Sequence, residues 1–119
     1  MRCLEGKRVL VVEDEFFIAA DIACELVDAG AVVAGPYATC PEALRALAHG
    51  RIDAAVLDVR LRDGCVYPLA QHLSDRNVPF LFHTGYSQAA LPEYFATVPR
   101  IEKPSLKGSL LSAVQNLLQ

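Results

Sequence analysis

Val9 to Phe17 reads VLVVEDEFF: four apolar residues, then three consecutive carboxylates, then two aromatics. The unbroken run Val9–Val12 lacks the alternation of a half-exposed strand. Such a run is the pattern of a parallel strand covered on both faces. Glu13, Asp14 and Glu15 therefore gather negative charge at the carboxyl end of a buried strand. In an open parallel sheet that is the edge where binding sites form.

Working outward, the first strand takes Lys7 to Glu13. A helix is expected from Glu15 to Ala29, with Phe16, Ala19, Ala20, Ala23, Leu26 and Val27 along its inner face and Gly30 as its stop. Ala31 to Ala34 reads as a second strand, broken at Gly35-Pro36. Thr39-Cys40-Pro41-Glu42 matches a capping box that opens a second helix, which Gly50 closes. Asp53 to Asp58 is a third strand, followed by a loop with a turn at Asp63-Gly64. The third helix spans about Val66 to Asp75, because Pro68 fits only a first turn. Pro79 to Thr84 is the fourth strand. Ser87 to Ala96 contains Pro92 and predicts a short or irregular helix. Val98 to Glu102 gives a fifth strand, and Leu106, Leu110, Val114, Leu117 and Leu118 mark a last helix.

Strands that alternate with helices define an α/β class, a doubly wound five-stranded parallel sheet. These units occupy residues 1–119 as a single domain, with no output domain expected. The chain's 119 residues, 53% of them hydrophobic and 21% charged, suit one soluble globular domain. A net charge of −3 and the lack of basic runs argue against nucleic acid as a partner. No stretch reaches membrane-spanning length and the N-terminus lacks a leader pattern, so a cytoplasmic protein with no membrane association is expected. Cys3, Cys24, Cys40 and Cys65 are widely spaced, which favours reduced, packed thiols over disulfides or zinc.

The expected strand ends bring polar groups to one edge: Glu13 and Asp14 after the first strand, Asp58 after the third, Thr84 after the fourth and Lys103 after the fifth. Asp14 and Asp58 repel each other unless a cation lies between them. Carboxylate oxygens suit Mg²⁺, which often bridges protein carboxylates to a phosphate. Lys103 adds a positive charge and Thr84 a hydroxyl donor, and an aspartate can act as the nucleophile that forms an acyl phosphate. Other polar and aromatic residues have plainer readings. His83 is expected as a hydrogen-bonded core residue, His49 and His72 as exposed, and Phe16, Phe17, Phe80 and Phe82 as core.

The pieces VLVVEDE, AAVLDVRLRDG, VPFLFHTGYS and IEKP, in that order and after the matching strands, resemble the receiver domain of two-component response regulators over essentially the whole chain. Within that family PFLFHTGYS is similar to the single-domain subgroup with a Phe-x-Thr-Gly motif. The resemblance implies a flavodoxin-like fold with strand order 2-1-3-4-5. It implies Asp58 as phosphoacceptor, Asp14 as a direct Mg²⁺ ligand, Glu13 acting through water, and the Arg60 backbone carbonyl as a further ligand. Thr84 would bind the phosphoryl group and Lys103 would neutralise it. Lys103-Pro104 is often cis in the family. Arg100 stands three residues before Lys103, where many receivers carry a switch aromatic.

The implied function is a stand-alone switch or phosphate carrier, not an enzyme. A sensor histidine kinase or a histidine phosphotransfer protein would feed it. It would signal to a separate downstream protein through Gly85–Thr97, the fifth strand and the last helix. Arg60 and Tyr86 are expected to flank the site and to set the phosphoryl lifetime. The alternatives are a Mg²⁺-dependent phosphohydrolase or Toprim-like enzyme and a phosphorylation-independent pseudo-receiver. Asp58-Val-Arg60 puts a cation where a Toprim site wants a second acid, and the intact set Asp14, Asp58, Thr84 and Lys103 speaks against a pseudo-receiver.

Overall fold

The unalternating strands are explained by two cores on opposite faces of one sheet. From β1 (Arg8–Val12), Leu10 and Val12 enter one core while Val9 and Val11 enter the other. From β3 (Ala54–Leu57), Ala55 and Leu57 go one way and Val56 the other. Side chains alternate along a strand, so both faces must be apolar when both are covered. The computed structural model describes residues 2–85 and 91–119.

The five-stranded parallel sheet has the order β2-β1-β3-β6-β7, with β2 at Val32–Tyr37, β6 at Phe80–Thr84 and β7 at Arg100–Glu102. Leaving out a small two-stranded hairpin, this is the expected order 2-1-3-4-5. Helices α2 (Cys40–Ala48) and α3 (Tyr67–Asp75) cover the core that holds Leu47, Leu69, Leu73, Phe80 and Phe82. Helices α1 (Phe16–Asp28) and α4 (Ser109–Leu117) cover the other, with Ile22, Leu26, Leu81, Leu110 and Val114. None of the described helices is long and apolar enough to cross a membrane.

Several expectations need correction. Phe16 and Phe17 are 77% and 80% exposed, not core, and pack edge-to-face on each other with centroids 5.4 Å apart. The buried stripe of α1 is Ala19, Ile22 and Leu26, followed by Ala29 past the helix end, and Val27 faces outward. At about 100° per residue, the sequence supports two neighbouring stripes. The branched Ile22 decides for the one that meets the sheet. The second strand does not stop at Gly35-Pro36. It shifts register against β1 between Leu10 and Val12 and continues to Tyr37. Gly35, at φ +104°, permits this, because a Cβ there would lie 2.7 Å from the Tyr37 nitrogen and 2.9 Å from the Val11 oxygen.

The segment read as a loop after Asp58 folds into an antiparallel hairpin, β4 (Arg60–Leu61) and β5 (Gly64–Cys65). Its two turn residues are Arg62 and Asp63, one position earlier than the expected Asp63-Gly64 turn. Leu106 precedes α4 and is 81% exposed. Among the described residues there are four α-helices, and the stretch expected as an irregular helix contains one 3₁₀ turn, Glu93–Phe95. Residues 87–90 of that stretch, and Tyr86 before them, lie outside the described residues. Cys3, Cys24 and Cys40 are free thiols, but Cys3 and Cys24 are exposed and not packed, and His72 is half-buried. Lys103-Pro104 is cis, as is Gly35-Pro36.

Candidate functional site

β1 and β3 lie side by side in register, Val12 opposite Leu57, so the residues that follow them emerge together at the carboxyl edge. The backbone keeps these ends tied: the Asp58 N–H donates to the Val12 carbonyl at 2.9 Å, and the Glu13 N–H to the Tyr37 carbonyl at 2.9 Å. One oxygen from each of the Glu13, Asp14 and Asp58 carboxylates falls within 4.8 Å of the others. Glu13 is 3% and Asp58 5% exposed, so the cluster is largely out of bulk water.

Lys103 reaches into the cluster from the end of β7. Its Nζ lies 2.7 Å from Glu13 Oε1 and 3.3 Å from Asp58 Oδ2. The Glu13 contact is close but lacks the alignment of a hydrogen bond. Glu13 Oε2 accepts the Glu15 N–H at 3.1 Å. Asp14 Oδ2 accepts the Arg62 N–H at 2.8 Å, with the Arg62 guanidinium Nε at 4.0 Å. Each acid thus has a positive neighbour, yet three carboxylates share essentially one buried ammonium.

The electrostatics follow from that imbalance. Burial, reinforced by the Glu13 charge, pushes the Asp58 carboxyl up to about 7, and Lys103 only partly opposes it. Burial alone would lower Lys103, but Glu13 and Asp58 outweigh it and hold the ammonium above its ordinary range. The two shifts agree in cause: the cluster carries more negative charge than it can neutralise. A hard divalent cation with oxygen ligands meets that need, and the buried, unaligned Glu13 Oε1 fits the same reading.

Arg60 sits at the base of the hairpin. Val59 accepts from the Val66 N–H at 3.0 Å, and Arg60 pairs with Cys65 one step further along. Hydrogen-bonded and non-hydrogen-bonded pairs alternate in an antiparallel ladder, so Arg60 is a non-hydrogen-bonded pair and its carbonyl turns out of the ladder. The cleft above the cluster, 480 Å³, is lined by Asp14, Glu15, Asp58, Arg60, Gly85 and Lys103. Thr84 ends β6, is 2% exposed, and its carbonyl accepts the Lys103 N–H at 2.9 Å. A larger groove of 750 Å³ lies between α1 and the loop before α4, sharing Glu15 and Lys103 with the cleft. The convergent charges are in the smaller one.

Glu13, Asp14, Asp58, Thr84 and Lys103 thus end or follow strands at one edge. Arg62 was not foreseen, because only the hairpin brings it to Asp14, 48 residues away. His83 is buried as expected, but neither ring nitrogen has a hydrogen-bond partner among the described residues. Burial and the nearby Lys103 charge lower its pKa, which keeps it neutral.

An open doubly wound sheet with an acidic cluster and a lysine at its carboxyl edge defines a flavodoxin-like domain. Comparison with solved structures makes the class specific. SdrG from Sphingomonas melonis Fr1 is 35% identical over 100% of both chains, with a TM-score of 0.83. Its BeF3-activated conformation gives 0.74, over 94% of this chain and 96% of that one. The non-phosphorylated HemR receiver domain from Leptospira biflexa is 26% identical over 96% and 95%, with a TM-score of 0.82. A response regulator receiver protein from Sinorhizobium medicae WSM419 is 26% identical over 97% and 96%, with a TM-score of 0.81. No protein-family model matches, and a search of curated proteins returns no match. The chain belongs to the receiver family of response regulators.

Proposed function

We propose that this receiver is a phosphorylation-dependent switch whose phosphoacceptor is Asp58. The observation that carries the reading is the buried Asp58 carboxylate, held in an open cleft beside Glu13, Asp14 and Lys103. A phosphohistidine on a sensor kinase or phosphotransfer protein is the donor. An Asp58 oxygen forms a bond to phosphorus while the bond from phosphorus to the donor imidazole nitrogen breaks, and the imidazole leaves with that electron pair. Lys103, already 3.3 Å from Asp58, stays with the acid and offsets the added charge. Thr84 donates its hydroxyl to a phosphoryl oxygen. Arg60, at the cleft mouth, helps to limit water access.

Glu13, Asp14, Asp58 and the Arg60 carbonyl would hold Mg²⁺, which when bound neutralises carboxylate and phosphoryl oxygens together. The existence of a BeF3-activated conformation of SdrG supports a phosphorylation-dependent switch here. The exposed free thiols of Cys3 and Cys24 support a reducing, cytoplasmic setting. The signal passes to a separate protein through residues 85–97, β7 and α4.

Intact-mass measurement after incubation with a small acyl phosphate and Mg²⁺ tests the reading. One phosphoryl group is expected, absent in Asp58→Asn and in EDTA. An unmodified wild-type mass, or a modified Asp58→Asn, overturns it.

A further inference from the structure

We propose that Arg62, at the tip of the β4–β5 hairpin, is a positioning residue that sets the site's affinity for Mg²⁺. The inference rests on the metal assignment above and adds a residue which that assignment does not contain. Two separate contacts carry it. The Arg62 N–H donates to Asp14 Oδ2 at 2.8 Å, which ties this carboxylate to the hairpin tip. The Arg62 guanidinium stands 4.0 Å from the same oxygen, so a divalent ion approaching Asp14 meets a positive charge beside it.

The hairpin makes both contacts consequences of one small element. With Arg62 and Asp63 as its only turn residues, its register is fixed by Arg60 opposite Cys65 and Leu61 opposite Gly64. Its base turns the Arg60 carbonyl outward, and its tip returns to Asp14. One hairpin therefore brings the Arg60 carbonyl and a competing cation to the same site.

The two roles of Arg62 separate by mutation. Its backbone N–H survives any non-proline substitution, whereas its charge does not. The side chain is 84% exposed and lends the fold little packing. Removing the charge relieves a repulsion and tightens metal binding, by roughly twofold to fivefold, the span of an exposed ion pair. Charge reversal tightens it further. The effect is electrostatic, so it disappears at high salt, where the screening length falls to ~3 Å at 1 M.

Calorimetric titration with Mg²⁺ alone tests this on wild type, Arg62→Ala, Arg62→Lys and Arg62→Glu, at low ionic strength and at high KCl. Thermal melts in EDTA verify that each variant is folded. The expected order of affinity is Glu above Ala above Arg, with Lys restoring the wild-type value and the differences vanishing in KCl. Equal affinities across the series, weaker binding by Arg62→Ala, or a difference that persists in KCl overturns the inference while the metal site stands. Absence of Mg²⁺ binding by the wild type instead overturns the metal assignment, and the inference with it.

Discussion

Asp58 carries an internal conflict: the group proposed to attack phosphorus as an anion sits where anions are disfavoured. Its pKa is raised from 3.8 to about 7, first by burial and then by Glu13. A carboxyl raised on folding contributes stability that is fully present below its unfolded pKa and is lost as pH rises through the folded value. In EDTA the protein is therefore expected to lose stability between about pH 4 and pH 7. A shift of about three units corresponds to a ceiling of ~4 kcal/mol. Urea melts across this range check it: Asp58→Asn is expected to remove most of the slope, and Mg²⁺ to flatten it in the wild type. A slope unchanged in Asp58→Asn places the titration elsewhere. None of this was legible in the sequence beyond the proximity of acids. Spacing showed that Glu13, Asp14 and Asp58 end strands, but the balance of three carboxylates against one buried ammonium depends on distances. His83 makes the same point, since its burial was readable from its strand while its lack of partners was not.

Elements were legible where a local rule and the tertiary demand agreed. The capping box is such a case: Thr39 is the N-cap of α2, its Oγ1 accepts the Glu42 N–H at 3.4 Å, and its hydroxyl donates to Glu42 Oε1 at 3.0 Å. Thr39→Ala is expected to cost ~1 kcal/mol, as loss of a helix cap usually does. Equilibrium urea unfolding reads this directly, and a change below a few tenths would show that the bond contributes nothing. Where local signals were balanced, tertiary contact decided. The first helix offered two apolar stripes, and packing on the sheet selected the one through Ile22, leaving Phe16 and Phe17 in solvent. The hairpin escaped notice because four residues in two strands carry almost no pattern. Its register is set by a two-residue turn and by the bond from Arg62 to Asp14, which no neighbouring residue announces.

At the scale of the whole molecule, the segment that follows β6 begins at the site, and its far end, before β7, is packed into a core. Thr84 and Lys103 are bonded through the backbone, and Gly85 lines the cleft. At the far end Phe95 is buried among Tyr67, Phe80 and Phe82, with ring centroids 5.6, 6.1 and 5.6 Å away respectively. Arg100 also fastens that end, its Nη2 donating to the Ala96 carbonyl at 3.1 Å. In place of a swinging aromatic, residue 100 is thus a tether between β7 and the 3₁₀ turn. A switch requires two states that bind the phosphoryl group unequally. On the proposed function, engagement of Thr84 by a phosphoryl oxygen would pull on one end of a segment whose other end is anchored. The expected response is a change at the described residues nearest the two ends, Gly85 and Leu91 to Thr97. Hydrogen exchange measures such local opening. Phosphorylation, or loading with beryllofluoride and Mg²⁺, is expected to slow exchange at Gly85 and from Leu91 to Thr97 more than anywhere in α1. Arg100→Ala, by releasing the anchor, is expected to raise exchange at Ala96 before phosphorylation and to shrink the phosphorylation-dependent change. Protection confined to the neighbourhood of Asp14 and Asp58 would show that the site loads without moving this segment, and the output face would then have to be sought elsewhere on the domain.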